Sequence, residues 1–128
     1  MKKIAVVILN WNGAELLRRF LPSVCAHTTP EIADVIVVDN GSSDNSRKLL
    51  EEEFPQVRTL LFPENYGFAE GYNRALDTLD YEYAVLLNSD VETSPHWLEP
   101  LLDFAEANHD VAACQPKIKS LREREKFE

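Results

Sequence analysis

The sequence predicts an α/β fold, a mostly parallel sheet with helices on both faces. Three observations lead there. Five short apolar runs recur along the chain, with helical segments between them. The first, second and fourth runs are almost wholly apolar, as parallel strands covered on both faces are. Strands that alternate with helices imply βαβ units with right-handed crossovers.

The first run is Ile4 to Leu9. Asn12 follows in the position of a helix cap, with Glu15 three residues on as in a capping box. Leu16, Leu17, Phe20, Leu21 and Val24 then share one helical face. Pro22 predicts a kink in that helix or an early end to it. The second run is Val35 to Val38, and Ser43 or Asp44 caps the next helix, which ends near Phe54-Pro55. The third run, Val57 to Phe62, admits Arg58 and Thr59 and so belongs near a sheet edge. Phe68, Tyr72, Ala75, Leu76 and Leu79 stripe the third helix.

Tyr83 to Leu87 is the fourth run. Ser94-Pro95 opens a fourth helix with Pro in its favoured first-turn place, and a restart is expected at Pro100. Val111 to Cys114 is the fifth run. Residues 1–116 therefore read as one domain, and residues 117–128 as a charge-rich tail.

Bulk properties narrow the function. The chain has 128 residues, 45% of them hydrophobic and 27% charged, which suits one globular domain with a real core. A formal net charge of -9 argues against nucleic acid as a partner, because such binding runs on Lys and Arg neutralising phosphates. It leaves room for a small diphosphate carried with a divalent cation. Cys25 and Cys114 give neither a disulfide framework nor metal-ligand spacing, and a reducing compartment fits. His27, His96 and His109 are scattered without ligand spacing. Only six apolar residues follow Met1-Lys2-Lys3, too few for a signal peptide or a membrane span.

In an open α/β sheet, ligands bind outside the carboxyl ends of the strands. Four polar loops collect there: Asn10-Trp11-Asn12-Gly13, Asp39 through Asp44, Pro63-Glu64-Asn65-Tyr66-Gly67, and Asn88-Ser89-Asp90. Any one of them reads equally well as a turn. Four on one edge point to a binding crevice. Asp39, an acceptor-only carboxylate at a strand end, can take a ring N–H of a base or a ribose hydroxyl. It can as readily close a turn with Gly41 or cap the next helix. Asn88 and Asp90 flank one residue, a spacing that can place one group on a sugar nucleotide and the other on Mg²⁺ or Mn²⁺.

Taken together these segments resemble a known family. Val6 through Gly13, Val35 through Asp44, Asn65 through Ala75 and Leu86 through Val91 are similar, in order, to the opening of family-2 glycosyltransferases of the GT-A, Rossmann-like fold. The N-W-N-G and L-N-S-D variants are most like the branch that builds bacterial surface polysaccharides, often from dTDP-rhamnose.

The resemblance implies a dTDP- or UDP-sugar donor, with uracil, thymine and guanine all open as the base. It also implies a carbohydrate or lipid-linked acceptor and transfer with inversion. Leu9, Asn10 and Trp11 would line the base pocket, and Asp39 would accept from the base N3–H. Asn65 and Gly67 would open the helix over the nucleotide, Asn88 would meet the ribose, and Asp90 would ligate the metal. Asn88 stands where the family's D-x-D motif has its first Asp, which weakens the case for a second metal bond. The resemblance further implies a longer, cytoplasmic protein, working at the inner membrane face. This chain would be its truncated donor half, inactive alone, with the catalytic base beyond Glu128.

Other classes fit less well. A receiver-type signalling module needs acids after the first strand and an Asp after the third, where Asn10-Trp11-Asn12 and Pro63-Glu64-Asn65 stand. A dehydrogenase needs G-x-G-x-x-G after the first strand. A sugar nucleotidyltransferase needs a Gly-rich basic loop there, and Asn12-Gly13-Ala14-Glu15 is neither. A non-catalytic α/β binding module would keep the crevice without turnover.

Overall fold

Two strands buried along nearly their whole length form the centre of the protein: β1 (Ile4–Asn10) and β2 (Ala33–Asn40). The structure, a computed structural model, describes residues 4–108. α1 (Ala14–His27) joins β1 to β2, and α2 (Ser46–Glu53) leads to β3 (Arg58–Phe62). α3 (Phe68–Thr78) then returns the chain to β4 (Tyr83–Leu87). The sheet order is β3-β2-β1-β4 and every pairing is parallel. Val7 is in register with Ile36 on one side and Leu86 on the other.

This order positions the site. The first two crossovers step the same way across the sheet, and a right-handed connection puts their helices on one face. α1 and α2 indeed touch each other. The third crossover steps back, so α3 lies on the opposite face, where Tyr72 and Ala75 pack on Ala5, Val7, Ile36 and Val38. The loops after β1 and β3 therefore lead to helices on opposite faces, and the strand order turns back between β1 and β4, the place where open α/β sheets take their ligands. A receiver-type domain places its first strand between the second and third, so the observed order overturns that reading.

Several local expectations are corrected. Asn12 does not cap α1; Gly13 holds the cap position and makes no side-chain bond there. Glu15 pairs with Arg18 instead. Pro22 does not shorten α1, which continues to His27. Leu17, Leu21 and Val24 are buried before and after Pro22, and that packing outweighs one lost backbone bond. β2 begins two residues before Val35, at Ala33. The fourth run is not covered on both faces: Leu86 is 52% exposed, and β4 is the outer strand of the described sheet. Arg58 and Thr59 do sit on an edge strand.

The chain divides into two compact units, residues 1–95 and 96–128. At the end of the first, Ser94-Pro95 opens no helix. α4 (Glu99–Ala107) starts later with Pro100 in its first turn, as the restart anticipated. The Leu102 N–H donates to the Leu98 carbonyl at 3.1 Å. The Val111–Cys114 run and the 117–128 tail lie outside the described residues.

Candidate functional site

The crevice loops are tied to one another before any ligand is considered. Asn12 takes a left-handed backbone, φ 50°, which Asn tolerates better than most residues. Its Oδ1 accepts from the backbone N–H groups of Ser43 at 2.7 Å and Asp44 at 3.1 Å. Its own N–H donates to Ser42 Oγ at 2.9 Å. Asp44 answers in the other direction. Its Oδ2 accepts from the Ala14 N–H at the start of α1, and its Oδ1 from the Ser46 N–H at the start of α2. Partial burial raises the energy of the Asp44 carboxylate, but the bonds from Ser46 and Ala14 outweigh it and hold its pKa below the ordinary value.

Asp39 sits beneath this lock and is wholly buried. Arg47 Nε donates to its Oδ2 at 2.8 Å, the Ser42 N–H donates to the same oxygen at 3.1 Å, and Asn10 Nδ2 donates to Oδ1 at 3.1 Å. Asn10 is buried too, and its Oδ1 has no partner among the described residues. A Cβ on Gly13 would lie 2.6 Å from that oxygen, so the turn into α1 has no room for a side chain.

The third loop is held from β2. Asn40 Oδ1 accepts from the Tyr66 N–H at 3.0 Å, while Nδ2 donates to Asn65 Oδ1 and the Gly67 carbonyl, each at 3.1 Å. Asn65 Oδ1 also accepts from the Gly67 N–H at 2.7 Å. Gly41, φ 74°, passes so close to this loop that a Cβ would stand 2.4 Å from the Glu64 carbonyl carbon. Arg47 reaches the Phe62 carbonyl as well, linking Asp39 to the end of β3.

Across the switch point the chain is freer. Tyr72 donates its hydroxyl to the Leu87 carbonyl at 3.2 Å, which fixes the end of β4. Beyond it Asn88 and Asp90 are exposed and bond to no other described residue through their side chains. The loop is fastened again at Thr93, whose N–H donates to Ser23 Oγ and whose hydroxyl donates to the Ser23 carbonyl. His27 Nδ1 lies 2.8 Å from the Thr93 carbonyl and donates to it. On the β1 side Trp11 is 56% exposed.

The residues singled out from sequence thus separate into two groups. Asn10, Asp39, Asn65 and Gly67 belong to the bonded framework. Trp11, Asn88 and Asp90 present themselves to solvent on either side of the switch point. Leu9 packs toward α3 beside Asn40, and its methyls sit 3.1 Å from where a Gly71 Cβ would be, which explains that glycine in α3. Among the described residues no three His, Cys, Asp or Glu side chains converge on a metal position. Sequence reasoning missed Asn40, Arg47 and the bridging use of Asn12. An Asn ending a buried apolar strand, as Asn40 does, was the available signal.

The sequence pattern of Glycosyl transferase family 2 matches residues 5–127. The chain belongs to glycosyl transferase family 2. It is 33% identical, over 90% of its length, to undecaprenyl-phosphate 4-deoxy-4-formamido-L-arabinose transferase of Proteus mirabilis. It is 27% identical, over 91% of its length, to N-acetylglucosaminyl-diphospho-decaprenol L-rhamnosyltransferase of Mycobacterium tuberculosis. These alignments cover 37% and 41% of the two relatives, so this family-2 chain spans about two fifths of their length. Residues 1–349 of S. aureus TarS, in complex with UDP-GlcNAc, superpose on 95% of the chain with TM-score 0.72 at 19% identity, covering 42% of that structure. The fold is accordingly GT-A. No described helix is long and apolar enough to cross a membrane.

Proposed function

We propose that this family-2 chain binds the donor of an inverting, metal-assisted glycosyltransferase. Its crevice would take a UDP- or dTDP-sugar, and the whole protein would pass the sugar to a carbohydrate or lipid-linked acceptor in cell-surface polysaccharide synthesis. One observation carries the reading. On the edge where GT-A ligands belong, Trp11, Asn88 and Asp90 are exposed, while the neighbouring Asn10, Asp39 and Asn40 are buried.

Each residue then has a distinct task. Trp11 offers a flat apolar face to a base. Asp39 Oδ1 holds one internal bond, from Asn10, and has a lone pair left for a base N3–H. Because Asp39 is sealed, the Asn10 amide must turn aside for that contact, exchanging one hydrogen bond for another. Asn65 and Gly67 hold the start of α3 beside the nucleotide, and Asn88 reaches the ribose. Asp90 would hold Mg²⁺ or Mn²⁺. A single exposed carboxylate suits a cation whose other ligands are diphosphate oxygens and water. When bound, that cation would stabilise the departing nucleoside diphosphate as a Lewis acid.

The relatives' greater length supports placing the acceptor site and the base outside this chain, with residues 1–116 as the donor-binding part. Work on lipid-linked acceptors would put the whole protein in the cytoplasm at the inner face of the membrane. Thermal melting with UDP, dTDP and GDP, each with Mn²⁺ or with EDTA, tests the reading. A ligand at a hundred times its dissociation constant adds about 2.7 kcal/mol, a readily measured shift. Melting unchanged by all three nucleotides would overturn it. A mass-spectrometric assay with nucleotide sugars and acceptors tests the second part, with no glycoside expected.

A further inference from the structure

Asn12 and Asp44 stand apart from the groups assigned to the nucleotide, yet each side chain bonds to the backbone on the other's side of the loop pair. Asn12 leaves the β1 loop and reads two consecutive N–H groups of the β2 loop. Asp44 leaves the β2 loop and closes the start of α1, while also closing α2. Each loop supplies the side chain that satisfies the other's backbone. Ser42 completes the exchange by accepting from the Asn12 N–H and lying 3.4 Å from Asn10 Nδ2.

Neither side chain's bonding is explained by its own loop's turn alone. A helix start is ordinarily capped by the residue just before it. Here α1 has Gly13 in that place, without a side-chain bond, and draws its cap from a residue thirty positions away. Asn12 spends its side-chain oxygen outside its own loop and keeps a left-handed backbone to do so. The arrangement joins Trp11, one residue before Asn12, to Asp39 and Arg47, on the far side of the same lock.

We propose that Asn12 and Asp44 are positioning residues: a reciprocal clamp that fixes the distance between the Trp11 loop and the Asp39 carboxylate, and so sets the width of the nucleotide crevice. The inference rests on the crevice reading above for its ligand, but the clamp itself is testable without one. Asn12→Gly is the informative change. Glycine adopts the same left-handed backbone freely and removes the side-chain acceptor. Asp44→Asn exchanges one acceptor oxygen for a donor amide.

The test uses the 128-residue chain. Amide hydrogen exchange without nucleotide reports the lock, because local opening exposes individual N–H groups. Exchange at Ser43 and Asp44 should accelerate about tenfold or more in Asn12→Gly, with β1 and β2 amides unchanged. Calorimetric titration with UDP and Mn²⁺ reports its use. Each single variant should lose about tenfold in affinity, and the double variant little more than either, because residues acting as one device are non-additive. Unchanged exchange at residues 43 and 44 would overturn the clamp. Faster exchange with unaltered UDP affinity, or additive losses, would overturn its positioning role. If the unaltered chain binds none of UDP, dTDP and GDP, the nucleotide reading fails and the positioning role with it, while the exchange arm still decides the lock.

Discussion

Asp39 and Arg47 form an ion pair with one partner sealed from solvent: Nε lies 2.8 Å from Oδ2, the Asp39 side chain is 0% exposed and the Arg47 side chain 42% exposed. Arg47→Met keeps much of the stem and removes the donor. The buried carboxylate retains Asn10 and Ser42 but loses the guanidinium that neutralises it, at a cost of about 1–3 kcal/mol. Urea denaturation should register this as a lower midpoint at unchanged slope. A midpoint equal to wild type would mean that solvent replaces the guanidinium at no cost.

Two glycines with positive φ should respond differently to alanine. Gly41 and Gly67 have φ 74° and 82°, so both substitutions carry a backbone penalty of about 1–3 kcal/mol. Gly67→Ala meets open space and adds no clash to that penalty. Gly41→Ala also drives a Cβ into the backbone of Glu64 and Asn65 and should exceed it clearly. Equal losses in the same denaturation assay would contradict the close passage of the two loops.

Asp90→Ala separates metal from fold. The side chain is exposed and bonds to no other described residue, so melting without ligand should change by less than about 0.5 kcal/mol. The extra stabilisation that Mn²⁺ adds in the presence of UDP should disappear. Persistence of that increment in the variant would move the cation to other ligands.

Acid should weaken the crevice before the sheet. The Asp44 pKa is held below its ordinary 3.8 in the folded protein. A depressed carboxylate contributes stability above its unfolded pKa and loses it as pH falls through the folded one. Between neutrality and about pH 4.5 this contribution is therefore constant, and below that it declines. Melting temperatures across this range in wild type and Asp44→Asn should converge toward the acid end. Parallel curves would assign the acid sensitivity to other groups.

The sheet was legible because its signal is local. Ile4 to Leu9 and Tyr83 to Leu87 announce themselves by composition, and the Arg58-Thr59 pair marked its strand as an edge. That the polar loops share one edge of the sheet followed from which residues end the strands. The cap of α1 was misread because Asn12 and Glu15 satisfy a short-range pattern, whereas the true acceptor, Asp44, comes from another loop. The burial of Asp39 was equally out of reach: it depends on Arg47 folding back from α2, which no spacing rule states. Leu86 misled in the opposite direction, since an apolar strand reads the same whether or not both faces are covered.

The bonds that join the three loops link residues 25 to 32 positions apart. Nascent helices and turns cannot make them; they require β1, β2 and β3 to be paired in register, and loop closure over such spans slows their formation. A slip of one residue between β1 and β2 would turn Asn10 and Asp39 to opposite faces and leave no crevice at all. Competence to bind should therefore arrive late in refolding. After dilution from denaturant, far-ultraviolet circular dichroism should recover ahead of the capacity to bind a nucleotide, and that delay would time the closing of the loops.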